Sequence, residues 1–233
     1  MTEKDVKREL AAIANPAKAK SLQKYFKTAR GEYAAGDKFL GITVPVQRKV
    51  AEKFQKLSLK EIKKLLRSGI HEERFTALNI LVLKYEKSSE KERGKIVDFY
   101  LKNKKSVNNW DLVDTSAPYI LGEWLLNKDK SMLCGLAKSK NVWDRRIAIV
   151  STYPFIKNGD FKYTIRLAEM LVSDKHDLIH KATGWMLREV GKKSQTALEK
   201  FLDKNYATLP RTTLRYAIER FPKSKRKDYL GRF

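Results

Sequence analysis

Along the chain, apolar residues recur three or four positions apart in nearly every long segment, and no series of alternating apolar and polar residues marks out strands. Val6, Leu10 and Ile13 put one apolar stripe on a first helix. Asn15-Pro16 predicts the start of a second, with Asn as cap and Pro in the first turn. Ser58-Leu59-Lys60-Glu61 has the form of a capping box, in which Ser58 accepts a free N–H while Glu61 reaches back, and the helix it opens is expected to stop near Gly69. Only 11 Gly and 6 Pro punctuate 233 residues. This spacing predicts an all-α chain of about a dozen helices on short connections. The stretch from Arg30 to Thr43, with Gly31, Gly36 and Gly41, is the one long irregular connection expected in the first half, either a functional loop or a turn.

A weak internal repeat appears when segments are aligned on an alanine. Ala77, Ala117, Ala148, Ala182 and Ala217 follow one another at intervals of 40, 31, 34 and 35 residues, each flanked by apolar positions at helical spacing. That period is the one stacked helical hairpins produce, and a small residue in each unit lets two helix backbones approach closely. The expected architecture is a single all-α repeat domain over residues 1–233, a solenoid of helical hairpins of the HEAT or armadillo kind with a concave basic groove. The alternative is chance recurrence of a residue common in helices.

Composition narrows the function. There are 50 Lys+Arg against 27 Asp+Glu, a formal charge of +23, which points to a polyanionic partner. With 42% hydrophobic residues the chain is too apolar for a disordered basic tail. The single cysteine, Cys134, has no partner for an intramolecular disulfide, and three histidines give no zinc-binding cluster, so a reduced, cytoplasmic protein without a structural metal is expected. His176 and His180 are spaced i, i+4 but lack a third ligand, and packing or solvated histidines are the better reading. No apolar run reaches the roughly 18 residues of a membrane helix.

Three constellations carry candidate chemistry. In Asn109-Trp110-Asp111-Leu112-Val113-Asp114, a capping Asn precedes Trp110 and Asp114, which share one helix face. A carboxylate beside an exposed aromatic on a DNA-facing surface would be repelled by phosphate and needs another reason to be there. If Trp110 is core, Asp114 is an ordinary partner of a nearby Arg. In Asn141-Val142-Trp143-Asp144-Arg145-Arg146 a second capping Asn precedes Trp143, and Arg145 and Arg146 point about 100° apart, so that one can face a ligand and the other solvent or a carboxylate. Trp185 lies in the corresponding helix of the next unit, within Gly184-Trp185-Met186-Leu187-Arg188-Glu189.

Over most of its length the chain resembles the DNA alkylation repair family, the AlkD-like DNA glycosylases. The matching stretches are Phe39 to Arg48, Trp110 to Asp114, Asn141 to Arg146, His180 to Glu189 and Pro210 to Ala217. The resemblance implies a right-handed superhelical solenoid of HEAT-like helical hairpin repeats and a monofunctional hydrolase of N-glycosyl bonds. Its substrates would be positively charged bases, 3-methyladenine and 7-methylguanine, in duplex DNA. It places the catalytic aspartate at Asp114, the lesion-site tryptophans at Trp110 and Trp185, and the DNA-contacting arginine at Arg146. Arg48, Trp143, Arg145, Lys181, Arg188, Arg211 and Arg215 are the further DNA contacts expected. No cofactor and no metal is implied, and the expected partner is alkylated duplex DNA bound by a monomer. A helical-repeat module that grips DNA or structured RNA without chemistry would keep the basic surface but would not need Asp114 beside Trp110. A scaffold for acidic protein partners would bind DNA weakly.

Overall fold

The computed structural model describes residues 1–231; Arg232 and Phe233 lie outside the described residues. Among these the chain is helical throughout, and the one pairing of extended backbone is an isolated parallel bridge between Lys38 and Ile70. No helix among the described residues is long and apolar enough to cross a membrane. The chain divides into two compact units, Met1–Ser116 and Ala117–Phe233.

In the first unit, helices Glu3–Ala12, Val44–Lys53 and Leu59–Leu66 pack around His71–Glu86. Val6, Leu10, Val50, Ile62, Leu65, Leu78 and Leu81 form the core between them. Each such side chain, withdrawn from water, contributes about 1.5 to 3 kcal/mol before its ordering cost. Asn15 caps Pro16–Tyr25 by accepting the Lys18 N–H at 3.0 Å, as its sequence predicts. Two expectations need correction. Ile13 is 41% exposed, because Glu3–Ala12 ends one residue before it and the backbone turns away from the stripe. At Leu59–Leu66, Ser58 does accept the Glu61 N–H, but the Glu61 carboxylate accepts the Glu3 N–H at 2.9 Å and pairs with Lys64 at 2.7 Å instead of reaching back.

The connection between Pro16–Tyr25 and Val44–Lys53 is irregular, as expected, but it is held at defined points. The Glu72 carboxylate accepts from the backbone N–H groups of Leu40, Gly41 and Ile42 at 2.9, 2.8 and 3.3 Å, and Lys38 exchanges backbone bonds with Gly69 and His71. Glu72 is fully buried, so these three donors replace its lost hydration.

In the second unit, the helices Val142–Val150, Asp177–Lys193 and Arg211–Ala217 pack in succession. Ser131–Ala137, Lys162–Leu171 and Gln195–Asn205 pack as their partners. Gly184 lets Asp177–Lys193 approach Arg211–Ala217 closely, since a Cβ there would meet the Thr213 carbonyl oxygen at 2.6 Å. All five alanines of the repeat are buried, in keeping with a packing reason for them. A short π-helical stretch, Pro118–Gly122, opens the unit, and its Gly122 lies against the Ser151 carbonyl oxygen.

Candidate active site

The first unit carries Trp110 and Asp114 on the five-residue helix Trp110–Asp114. Asn109, fully buried, accepts the Trp110 N–H at 2.8 Å, and the Asp111 carboxylate accepts the Leu112 N–H at 2.9 Å. Leu112 and Val113 turn into the core, which leaves Trp110, Asp111 and Asp114 half-buried on the other face. Trp110 is part of an aromatic layer. It stacks on Phe26 with ring centroids 5.2 Å apart and planes 14° apart, and Tyr25 meets it edge-on at 6.1 Å. Phe26 stacks in turn on Phe39 at 5.0 Å, and Phe39 on the His71 imidazole at 4.6 Å.

His71 joins this layer to a buried charge network. Its Nε2 lies 2.8 Å from Asp111 and its Nδ1 3.2 Å from Asp37, while Arg74 donates to the same Asp37 oxygen at 2.7 Å and to the Ser68 carbonyl at 2.8 Å. Burial alone would lower the imidazole pKa, but the charge and hydrogen bond of Asp111, followed by the bond to Asp37, raise it to about 9 against the opposing charge of Arg74. His71 is therefore an imidazolium at neutral pH, donating from both nitrogens. For Asp37, the raising effect of burial is outweighed by the hydrogen bond from His71 and the charge of Arg74, and its pKa falls below the usual carboxylate value. A cavity of about 210 Å³ opens beside the layer, lined by Leu22, Phe26, Phe39, Gln47 and Asp111 with Lys18.

The remaining site residues of the sequence reading, apart from exposed Arg48 on Val44–Lys53, belong to the second unit. Trp185, half-buried on Asp177–Lys193, has Tyr153 tilted against it with centroids 6.1 Å apart. Asn141 accepts the Trp143 N–H at 2.8 Å, the expected cap, and Trp143 itself is buried. The two arginines that follow do diverge. Arg145 clamps Asp174, from Nε at 2.6 Å and Nη2 at 3.3 Å, and its Nη1 donates to the carbonyls of Ser139 and Lys140. Arg146 is 5% exposed and donates to the Leu178 carbonyl at 2.5 Å. Arg188 pairs with Glu219 and lies 3.6 Å from Glu189, and Lys181 pairs with Asp177 at the surface at 2.7 Å. Arg211 and Arg215 are exposed. His176 caps its helix by accepting the Leu178 N–H at Nδ1, and the His180 ring bonds the Asp174 carbonyl at 2.5 Å, so both rings serve the fold. Among the described residues no group of three His, Cys, Asp or Glu is placed to hold a metal ion.

The sequence reading did not single out Asp37, His71 and Asp111 as a group, nor the role of Phe26. The one local signal was His71-Glu72-Glu73-Arg74, four polar residues in a row that are all buried in the folded chain.

A sequence profile described as DNA alkylation repair enzyme matches residues 6–221. The chain belongs to the DNA alkylation repair enzyme family. Membership supports an enzyme role in DNA alkylation repair, with DNA as partner. Among solved structures, a predicted DNA alkylation repair enzyme from Enterococcus faecalis superposes with a TM-score of 0.72 at 18% identity, over 90% of this chain and 97% of that one. At that identity the likeness speaks for the shared helical fold. No curated protein matches the chain. In this DNA alkylation repair enzyme, Trp110 and Asp114 are half-buried in the first unit and Trp185 is half-buried in the second.

Proposed function

We propose that this family member is a monofunctional DNA glycosylase that releases positively charged alkylated bases, 3-methyladenine and 7-methylguanine, from duplex DNA. The observation that carries the reading is Asp114 on the same face as Trp110, on a short helix capped by Asn109, in a chain of charge +23. A carboxylate is out of place on a purely phosphate-binding surface and useful where positive charge develops. An alkylated purine cation is already a good leaving group. As the glycosidic bond breaks, its electron pair leaves with the base, which becomes neutral, and positive charge moves to the sugar. Asp114 stabilises that oxocarbenium-like transition state and orients the water whose oxygen bonds C1′, with one proton released from the water. The ring face of Trp110, beside Asp114, favours a cationic sugar or base by about 0.5 to 2 kcal/mol, depending on desolvation, and Trp185 is the lesion-site tryptophan proposed for the second unit.

None of the residues proposed for the chemistry, Trp110, Asp114, Arg146 and Trp185, is a lysine able to form a Schiff base, so the product is an abasic site and a free base, without strand cleavage. Arg48, Lys181, Arg211 and Arg215 reach solvent and serve as phosphate contacts in this reading. Arg145 and Arg188, tied to Asp174 and Glu219, and buried Trp143 contribute by holding their helices in place. Arg146, fixed by the Leu178 carbonyl, keeps a positive charge on the helix Val142–Val150 and is the DNA-contacting arginine of the second unit in this reading. The succession of packed hairpins in the second unit supports HEAT-like repeats as the scaffold.

Incubation of the chain with methylated duplex DNA, with released bases separated chromatographically, tests the reading. It predicts 3-methyladenine and 7-methylguanine released well above the spontaneous rate, with abasic sites in equal amount. Salt-sensitive DNA binding with no release would leave a module that recognises DNA without acting on it.

A further inference from the structure

We propose that His71 is a positioning residue for the candidate site: bonded to Asp111 and Asp37 at once, it fixes the rotation of the helix Trp110–Asp114 and thereby the directions of Trp110 and Asp114. The inference rests on the glycosylase reading for its effect on rate, but its geometry stands on its own. A helix of five residues has almost no orientation of its own, since few internal bonds hold it, and tertiary contacts must set its roll about its axis. Trp110 and Asp114 are four residues apart and Asp111 and Asp114 three, so all three share one face and turn together. On that face Asp111 is held by the His71 Nε2 at 2.8 Å, and Trp110 is held by Phe26, whose other ring neighbours are Tyr25, Phe39 and His71. The same imidazole therefore braces the short helix twice, once through a charged hydrogen bond and once through the aromatic layer.

The bracing works in one protonation state. Both partners of the ring are carboxylates, which only accept, whereas a neutral imidazole offers one donor and one lone pair. Loss of the proton would set that lone pair against Asp37 or Asp111. The charged groups facing the ring are Asp37 from the connection, Asp111 from the short helix, and Arg74 and Glu72 from its own helix, with Lys18 of Pro16–Tyr25 on the cavity they share. With its pKa raised from 6.5 to about 9, His71 keeps its charge at neutral pH, and the stability the brace adds is complete below pH 6.5. As pH rises through the folded value the brace is lost.

The experiment measures single-turnover base release and duplex DNA affinity between pH 6 and 10 for wild type, His71→Gln and Asp37→Asn, alongside an NMR titration of the imidazole. Wild-type release is expected to fall on an alkaline limb near pH 9 while DNA affinity changes little. His71→Gln is expected to slow release about 10-fold to 100-fold at neutral pH, the scale on which small misplacements act, and to lose the limb. Asp37→Asn keeps the ring and its bond to Asp111, and should move the limb toward acid. A limb unmoved in both variants, or a rate loss that only tracks the unfolded fraction, overturns the proposal. If wild type releases no base, the glycosylase reading has failed and the brace is judged by spectroscopy. Trp110 emission, isolated by difference from Trp110→Phe, should then change in step with an imidazole titrating near 9. An imidazole titrating near 6.5, or emission indifferent to it, overturns the brace.

Discussion

Gly41 lies where the irregular connection passes closest to the second helix. Its φ is +82°, and a Cβ there would stand 2.1 Å from the Asn15 carbonyl oxygen and 2.6 Å from the Ala19 nitrogen, both of them backbone atoms that cannot swing aside. Its own N–H is bonded to Glu72. Gly41→Ala should therefore destabilise the first unit by at least about 2 kcal/mol, from left-handed strain together with the clash. Urea denaturation checks this, and an unchanged midpoint would contradict it. At this scale the sequence was legible where partners are near. The spacing of Trp110 and Asp114 shows that they share a face, and Asn109 announces its cap. It was not legible where partners are far apart. His71 meets Asp37 and Asp111 across 34 and 40 residues, and nothing in a row of polar residues says that they will be buried together. The divergence of Arg145 and Arg146 could be read from their adjacency, but the carboxylate that Arg145 meets, Asp174, lies 29 residues on.

Helix starts were the most legible elements, because an Asn or Ser side chain reaches N–H groups only a residue or a few away. Asn15, Ser58, Asn109 and Asn141 all cap as their sequence predicts. Glu61 departs from its box because Glu3, 58 residues away, offers a competing N–H. His176 was unexpected as a cap; burial lowers its pKa, and a neutral ring leaves Nδ1 free to accept. Caps matter most where the helix is shortest. Asn109 supplies the capping acceptor for the whole Trp110–Asp114 segment, so Asn109→Ala should cost about 1 kcal/mol, with half of a pair of buried polar groups lost. Tryptophan emission should shift as Trp110 loosens from Phe26. A variant with wild-type stability and emission would show that the segment is held without its cap.

At the level of the whole chain, an alanine period and a charge of +23 pointed to stacked hairpins and a polyanion, and the family match over residues 6–221 agrees with a DNA partner. Each Lys or Arg that displaces a counterion from duplex DNA steepens the dependence of affinity on salt, so log affinity should fall linearly with log salt concentration. Charge accounts for binding to any duplex. It does not account for Asp114, which weakens that attraction. The central claim is that this carboxylate acts on the sugar cation and not on affinity. The direct measurement is single-turnover release of 3-methyladenine and 7-methylguanine by wild type and Asp114→Asn, with duplex affinity determined in parallel at several salt concentrations. The account predicts that the amide, nearly the same size but uncharged, lowers release by about 100-fold or more while affinity holds or tightens. Equal release by the two proteins, or a loss of release matched by a loss of affinity, would contradict it.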